Sequence, residues 1–290
     1  MSFVKDSLYG FVIGDALGVP VEFEERKKLM SSPVTTMKGY GSYDVPEGTW
    51  SDDTSMTLAT MDSIIKQEGT INCNDIADKF CNWLNNADYN DKVDAPKCGG
   101  TSLSENGNGS LMRMLPIALY CYYKKLNDKE ILEIIRKVSS ITHAHEISIM
   151  GCYIYVRYVM FLLYGKDKLA AYSMIKCLDY SMFSEETNII YERILKEDIT
   201  KFDLDSIKSS GYIVETLETV LWVILNCNNY NESIIGAVNL GGDTDTIGAI
   251  TGSIAGILYG YNSINTNWLT KLRNKEYLDK IIEEFEFTFN

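Results

Sequence analysis

The sequence is poor in the residues that punctuate a chain, cross-link it or carry it through a membrane. Only five prolines interrupt its 290 residues, so long helices can run unbroken. Seven cysteines, at positions 73, 81, 98, 121, 152, 177 and 227, are odd in number and include no CxxC spacing. That pattern argues against a zinc ribbon or disulfide framework and favours reduced thiols in a cytoplasm. The two histidines, His143 and His145, form an HxH pair. Such a pair alternates sides on a strand and diverges by about 200° on a helix, so these two alone build no zinc site. No apolar run approaches the roughly 20 residues that span a bilayer. The N-terminal stretch "MSFVKDSLYGFVIGDALG" has little positive charge and places Asp15 inside its apolar run, so no signal peptide is expected. Basic residues are also scarce, 27 against 40 acidic ones. The net charge of −13 disfavours general nucleic-acid binding.

What remains is a helical chain. In "KEILEIIRKVSSI" (129–141) the residues Ile131, Ile134, Ile135, Val138 and Ile141 recur at three- and four-residue spacing. Residues 54–65 repeat the pattern through Leu58, Met61, Ile64 and Ile65. Residues 213–225 are apolar almost throughout and predict a buried helix. Residues 246–259 interleave isoleucines with Gly248, Gly252 and Gly256. Each glycine costs a helix roughly 1 kcal/mol, so the run predicts close backbone approach at the centre of the molecule. Alternating strands and β-α-β units are missing, and residues 31–50 and 86–110 look irregular. The expectation is a single all-α domain over residues 1–290, cytoplasmic, monomeric and not membrane-bound.

Two acidic clusters stand out against this background. "GTWSDDTSMTLA" (48–59) places Asp52 beside Asp53, and "NLGGDTDTIGAITG" (239–252) places Asp243 two residues before Asp245. A single Asp before a helix is ordinarily an N-cap. One cap needs one side chain, however, and converging carboxylates repel and raise one another's pKa. Hard divalent cations such as magnesium or manganese relieve that conflict, because they take carboxylate and hydroxyl oxygens. Gly241 and Gly242 permit a tight backbone turn into such a site. "SENGNGSLMRMLPIAL" (104–119) adds a Gly/Asn-rich loop that can offer backbone N–H groups to a phosphate or simply enter a helix. Arg113 can bind phosphate or hold that loop, and the second use is expected.

In order and spacing, "GFVIGDALGVPVEF" (10–23), "GTWSDDTSMTLA", "NGNGSLMRMLPIAL", "THAHE" (142–146) and "NLGGDTDTIGAITGSIAGILYG" together resemble the ADP-ribosylglycohydrolase family. That family contains the dinitrogenase-reductase-activating glycohydrolases. The resemblance spans roughly residues 5–261 and implies an all-α fold around two Mg2+ or Mn2+ ions. It further implies cleavage of the glycosidic bond between ADP-ribose and an acceptor on a protein or small molecule. Carried over, Ser51, Asp52 and Asp53 look like one ligand set, and Asp243, Asp245 and Thr246 like the other. Many relatives have Thr where Ser51 stands, and serine keeps the hydroxyl. Glu22 matches a glutamate that positions substrate. Asn106, Gly107, Asn108, Gly109 and Ser110 match the loop that cradles diphosphate and ribose, and His143 a histidine of the ADP-ribose pocket. His145 has no such match.

The implied mechanism is attack of water on the anomeric carbon with the ribose held in place. A carboxylate accepts the water proton while the leaving group is protonated. Asp52, Asp53 and Glu22 are all candidates for that base. ADP-ribosylated arginine is the first choice of substrate. Serine, nucleobase or metabolite linkages are the alternatives, as are a catalytically silent, crystallin-like relative and a metal-dependent phosphohydrolase.

Overall fold

The computed structural model describes residues 2–86 and 106–289. Cys98 and most of the irregular 86–110 stretch therefore lie outside the described residues. Fifteen α-helices occur among those described, numbered here in chain order. The first seven are α1 (Phe3–Gly18), α2 (Arg26–Ser31), α3 (Asp52–Lys66), α4 (Cys73–Asn86), α5 (Leu115–Lys124), α6 (Asp128–Ser139) and α7 (Glu146–Leu163). Then come α8 (Lys168–Lys176), α9 (Glu185–Ile190), α10 (Glu192–Leu195) and α11 (Ile213–Asn226). The last four are α12 (Tyr230–Val238), α13 (Thr244–Tyr259), α14 (Thr266–Lys271) and α15 (Lys275–Phe289). The described residues hold no strand, only an isolated bridge between Gly107 and Tyr212. The all-α expectation is met.

The four helices read from periodicity are present with small differences at their ends. Helix α6 stops at Ser139, short of Ile141, and begins with a capping box between Asn127 and Glu130. Helix α7 is long and apolar enough to cross a membrane by length and composition. It is instead buried nearly throughout, as a core helix is, and packs on α5, α6, α8 and α11. The six described cysteines are all free thiols.

The centre of the molecule is the pair α1 and α13. They contact each other along their whole length because glycines face glycines. A Cβ on Gly14 would lie 2.0 Å from the Gly248 carbonyl oxygen, and one on Gly10 would lie 2.2 Å from that of Gly252. The reciprocal positions are as tight: a Cβ on Gly248 would sit 2.4 Å from Gly14 O, and one on Gly252 would sit 2.0 Å from Gly10 O. Here the glycines lower intrinsic helix propensity and allow the two backbones to touch. Side chains from the surrounding helices lock the pair. Tyr230 of α12 donates to Gly10 O at 2.8 Å, and Tyr155 of α7 bonds Ser253 of α13 at 2.8 Å.

A methyl group at this contact should separate the two helices. Gly14→Ala is expected to cost about 3 kcal/mol, the overpacking range, and to lower Tm by roughly 6–12 °C. Gly236 in α12 is the control, because a Cβ there would meet nothing closer than 3.6 Å. Gly236→Ala should be neutral or stabilising by up to about 1 kcal/mol. Thermal melts of both variants check this, and equal Tm values for Gly14→Ala and wild type would refute it.

Candidate active site

Helix α1 delivers both acidic clusters to one place. Its Asp15 is fully buried and accepts three hydrogen bonds from the start of α3: Ser51 N at 2.9 Å, Thr54 N at 3.1 Å and Thr54 Oγ1 at 2.5 Å. At the end of α1, a Cβ on Gly18 would lie 2.4 Å from the Asp245 backbone, and Thr244 Oγ1 donates to Gly18 O at 2.8 Å. The N-termini of α3 and α13 therefore meet beside the last turn of α1. The Gly-Gly pair makes this possible on the α13 side. Gly241 and Gly242 both have φ of +73°, and a Cβ on Gly242 would lie 2.0 Å from Ser209 O. Arg26 holds the adjoining loop, donating to the carbonyls of Leu240 at 2.9 Å, Leu204 at 2.7 Å and Ile207 at 2.6 Å.

The carboxylates surround a cavity of about 420 Å³ lined by Glu22, Ser51, Asp52, Asp53, Asp243, Asp245 and Thr246 among others. Capping does not account for them. Ser51 is the N-cap of α3, accepting from Asp53 N at 3.2 Å. Asp243 occupies the N-cap position of α13 but makes no capping bond. Its Oδ2 instead accepts from Asn108 Nδ2 at 2.6 Å, and the same amide donates to Thr216 Oγ1 at 2.9 Å. Asp53 Oδ2 accepts from Ser51 Oγ at 2.9 Å and Thr246 Oγ1 at 3.2 Å, the second bond linking the two clusters directly. Asp53 Oδ1 is buried and has no hydrogen-bond partner.

Burial raises the pKa of Asp15, Glu22, Asp52, Asp53 and Asp245. Asp15 is pushed up to about 7 by desolvation, against the lowering effect of its hydrogen bonds. Asp52 is pushed up to about 6 by desolvation and then by the charge of Asp243. Asp53 and Asp245 stand well above the usual carboxylate range, from burial first and then from their acidic neighbours. Glu22 is raised by burial and partly relieved by a hydrogen bond from Tyr43. Among the described residues lining the cavity there is no Lys, Arg or His to offset this charge. The donor set is therefore hard oxygen only, with one buried oxygen unpartnered. Glu22, Asp243 and Asp245 each bring an oxygen within 4.8 Å of the others. These features fit a divalent cation of the magnesium or manganese type.

The Gly/Asn loop splits in two. Asn108 and Gly109 line the cavity; Asn106, Gly107, Ser110 and His143 are not among its lining residues. Asn106 is buried, with its side chain accepting from Ser148 Oγ at 2.8 Å and its carbonyl from Ile213 N at 3.1 Å. Ser110 is buried against Cys152 Sγ at 3.4 Å. His143 packs behind the loop, where a Cβ on Gly109 would lie 2.9 Å from its ring. Its Nδ1 is 2.8 Å from Thr142 Oγ1, which also accepts from Arg113 Nη2 at 2.6 Å. Arg113 is fully buried, donates also to Gly109 O and Val138 O, and lies over Phe80, so it staples the loop. His145 caps α7, its Nδ1 accepting from Ile147 N.

Sequence reasoning missed Asp15, Tyr43 and Thr216. The periodicity of an apolar stretch hides Asp15, and the contacts of Tyr43 with Glu22 and of Thr216 with Asn108 join residues distant in sequence. The one available signal was a carboxylate inside the apolar run from Leu8 to Leu17, which must be satisfied by something.

The profile of the ADP-ribosylglycohydrolase family matches residues 2–288. The chain belongs to that family, whose reaction is hydrolysis of the glycosidic bond to ADP-ribose. It is 31% identical to the ADP-ribosyl-[dinitrogen reductase] glycohydrolase of Rhodospirillum rubrum, across 92% of this chain and 88% of that one. It is 28% identical to the ADP-ribosylarginine hydrolase Tri1 of Serratia proteamaculans, across 97% and 78%. A solved ADP-ribosylglycohydrolase-related protein complex superposes with a TM-score of 0.82 at 24% identity, over 100% of this chain and 98% of that one, which establishes the fold.

The raised carboxyls make metal-free stability depend on pH. Asp15 and Asp52 bind protons more tightly folded than unfolded, where a carboxyl titrates near 4. Their contribution is full below about pH 4 and is lost as pH rises through about 6 and 7. With chelator present, Tm should fall between about pH 5 and pH 8, and magnesium should flatten that fall. A chelated protein whose Tm rises over the same interval would contradict the charge arrangement described above.

Proposed function

We propose that the protein is a metal-dependent hydrolase that removes ADP-ribose from modified arginine side chains on proteins. The observation that carries this reading is the composition of the cavity: six oxygen-donor side chains from two helix starts together with Glu22, one unpartnered buried oxygen, and no basic residue among the described lining. Ser51, Asp52, Asp53, Asp243, Asp245 and Thr246 would hold two Mg2+ or Mn2+ ions, with Glu22 at the edge. Bound there, such ions supply Lewis-acid polarisation and orientation of the ribose hydroxyls and water.

The protein's own groups divide the remaining work. Asp53 and Asp245 are too deeply buried, at 1% and 3% exposure, to exchange protons with solvent readily. Asp52 and Glu22 are the partly exposed carboxylates, and burial raises the pKa of both. A general base and a general acid must exchange protons with solvent between turnovers, so proton handling falls to this pair. Asn108 holds Asp243 in orientation. Gly109, whose missing side chain leaves room for the His143 ring, would present its backbone to the ribose and diphosphate. The arginine linkage is favoured because a cationic acceptor suits an acidic cavity, and because the Serratia relative is named for that substrate.

Purified protein should release free ADP-ribose from ADP-ribosyl-arginine with magnesium or manganese and stop with chelator, and should act more slowly on the serine linkage. Chromatography of a panel of linkages reads both. Asp52→Asn and Glu22→Gln should each lower kcat by about 100-fold or more, with smaller changes in ADP-ribose affinity. Release from serine but not arginine would overturn the acceptor. Full activity in either variant would overturn the assignment of proton transfer.

A further inference from the structure

We propose that Phe23 is the specificity determinant for the acceptor, a flat face on which the leaving guanidinium stacks; this rests on the arginine reading above. Residues Val21–Glu24 form a tight turn closed by Glu24 N to Val21 O at 3.0 Å. Glu22 has φ −57° and ψ 135°, and Phe23 has φ +63°. These are the angles of a type II turn, whose third residue is ordinarily glycine. A bulky residue with positive φ is a true outlier, and such strain persists only where the surroundings impose it. They do so here: Phe23 N donates to Gly242 O at 2.7 Å, and Gly242 N donates to Glu24 O at 3.0 Å. The turn is thereby tied to the Gly-Gly bend that aims Asp243 and Asp245.

Folding gains little from the phenylalanine. Its side chain is 73% exposed, so it buries little apolar area in return for the strain. It does line the acidic cavity, one residue from Glu22. Glu22 shares the 4.8 Å oxygen cluster with Asp243 and Asp245. On the functional reading above, the anomeric carbon would be held beside that cluster. The acceptor leaves from that carbon, whereas the adenine lies a diphosphate and a second ribose further away. On that reading Phe23 stands beside the scissile bond, where the acceptor leaves. A planar cation is attracted to an aromatic face within about 6 Å of its centroid. Among the described residues lining the cavity none is basic, so none of them opposes such a cation. An uncharged serine acceptor would gain no such attraction.

The test compares wild type with Phe23→Gly, Phe23→Leu and Phe23→Tyr. Three quantities are measured: Tm, kcat/KM on ADP-ribosyl-arginine, and Ki for free ADP-ribose, which lacks an acceptor. Phe23→Gly should melt at or above the wild-type temperature, because glycine accepts the backbone angle. It and Phe23→Leu should lose about tenfold in kcat/KM on the arginine linkage, with Ki for ADP-ribose changed less than twofold. Phe23→Tyr, which keeps the flat face, should retain most of the activity. A parallel rise in Ki would assign Phe23 to the ADP-ribose half and overturn the inference, as would full activity in Phe23→Leu or a lowered Tm in Phe23→Gly. If wild type fails to cleave the arginine linkage at all, the functional reading falls and takes this inference with it. Cleavage by wild type with an unaltered Phe23→Leu leaves the function standing and removes only the role of Phe23.

Discussion

The backbone-to-backbone contact of α1 with α13 is the constraint on which the site depends. With glycines at 10, 14, 248 and 252 there is almost no side-chain thickness between the two helices. Their relative position is therefore set by peptide groups and not by adjustable rotamers. That rigidity matters because α1 touches both acidic helix starts within a single turn, through Asp15 to α3 and through Gly18 to α13. Sliding α1 by one residue would shift the two acidic clusters apart. Sites built on packed helices are more precise than sites built on loops, and here the packing itself has no slack. Propensity is lost at each glycine, yet the helices survive because tertiary packing supplies most helical stability.

A second consequence is electrostatic. Bringing Asp15, Asp52, Asp53, Asp243 and Asp245 together in a buried region raises several of their pKa values through desolvation and mutual repulsion. Hydroxyls and amides relieve part of this. Asp15 has Ser51 and Thr54, Asp53 has Ser51 and Thr246, and Asp243 has Asn108. Those donors are neutral and orient the carboxylates without cancelling their charge. Asp53 Oδ1 stays buried and without a hydrogen-bond partner inside this cluster. A set of carboxylate and hydroxyl oxygens of this kind suits a divalent cation or a cationic acceptor.

How much of this was readable from sequence depends on whether the signal was local. The helices at 54–65, 213–225 and 246–259 follow from periodicity, and the glycines of the last one pointed correctly to close approach. The adjacency of Asp52 and Asp53, and the Asp-Thr-Asp order at 243–245, are local patterns too, and both clusters line the same cavity. Legibility ended where function is assigned by long-range contact. Asp15 sits in an apolar run, and nothing nearby in sequence reveals that its partners are Ser51 and Thr54. The loop from 106 to 110 reads as one motif, yet the fold uses alternate residues differently. Asn106 and Ser110 hold it to α7 and the start of α11, while Asn108 and Gly109 face the cavity. Motif membership does not distinguish a residue that touches ligand from one that holds its neighbour.

Three departures from ordinary backbone and hydrogen-bonding practice converge on the cavity: the positive φ of Phe23, the paired positive φ of Gly241 and Gly242, and the unpartnered oxygen of Asp53. The first two are joined by hydrogen bonds between Phe23, Glu24 and Gly242, so neither turn can relax alone. Arg26 then holds the loop carrying Ser209 against the same bend, and Ser209 O in turn accepts from Asp243 N at 2.8 Å. Strain in one turn is thus balanced by contacts in three segments that are distant in sequence. Such coupling is unnecessary for stability, since α1, α13 and the helices around them already form the core. It is useful for a site that must hold Glu22, Asp243 and Asp245 at fixed separation, with an oxygen of each within 4.8 Å of the others. Natural chains tolerate local rule-breaking where function requires it. These three departures lie at or beside the cavity lined by both acidic clusters, while others, such as the positive φ of Tyr40 and the unpartnered Oδ2 of Asp6, lie at residues outside its lining.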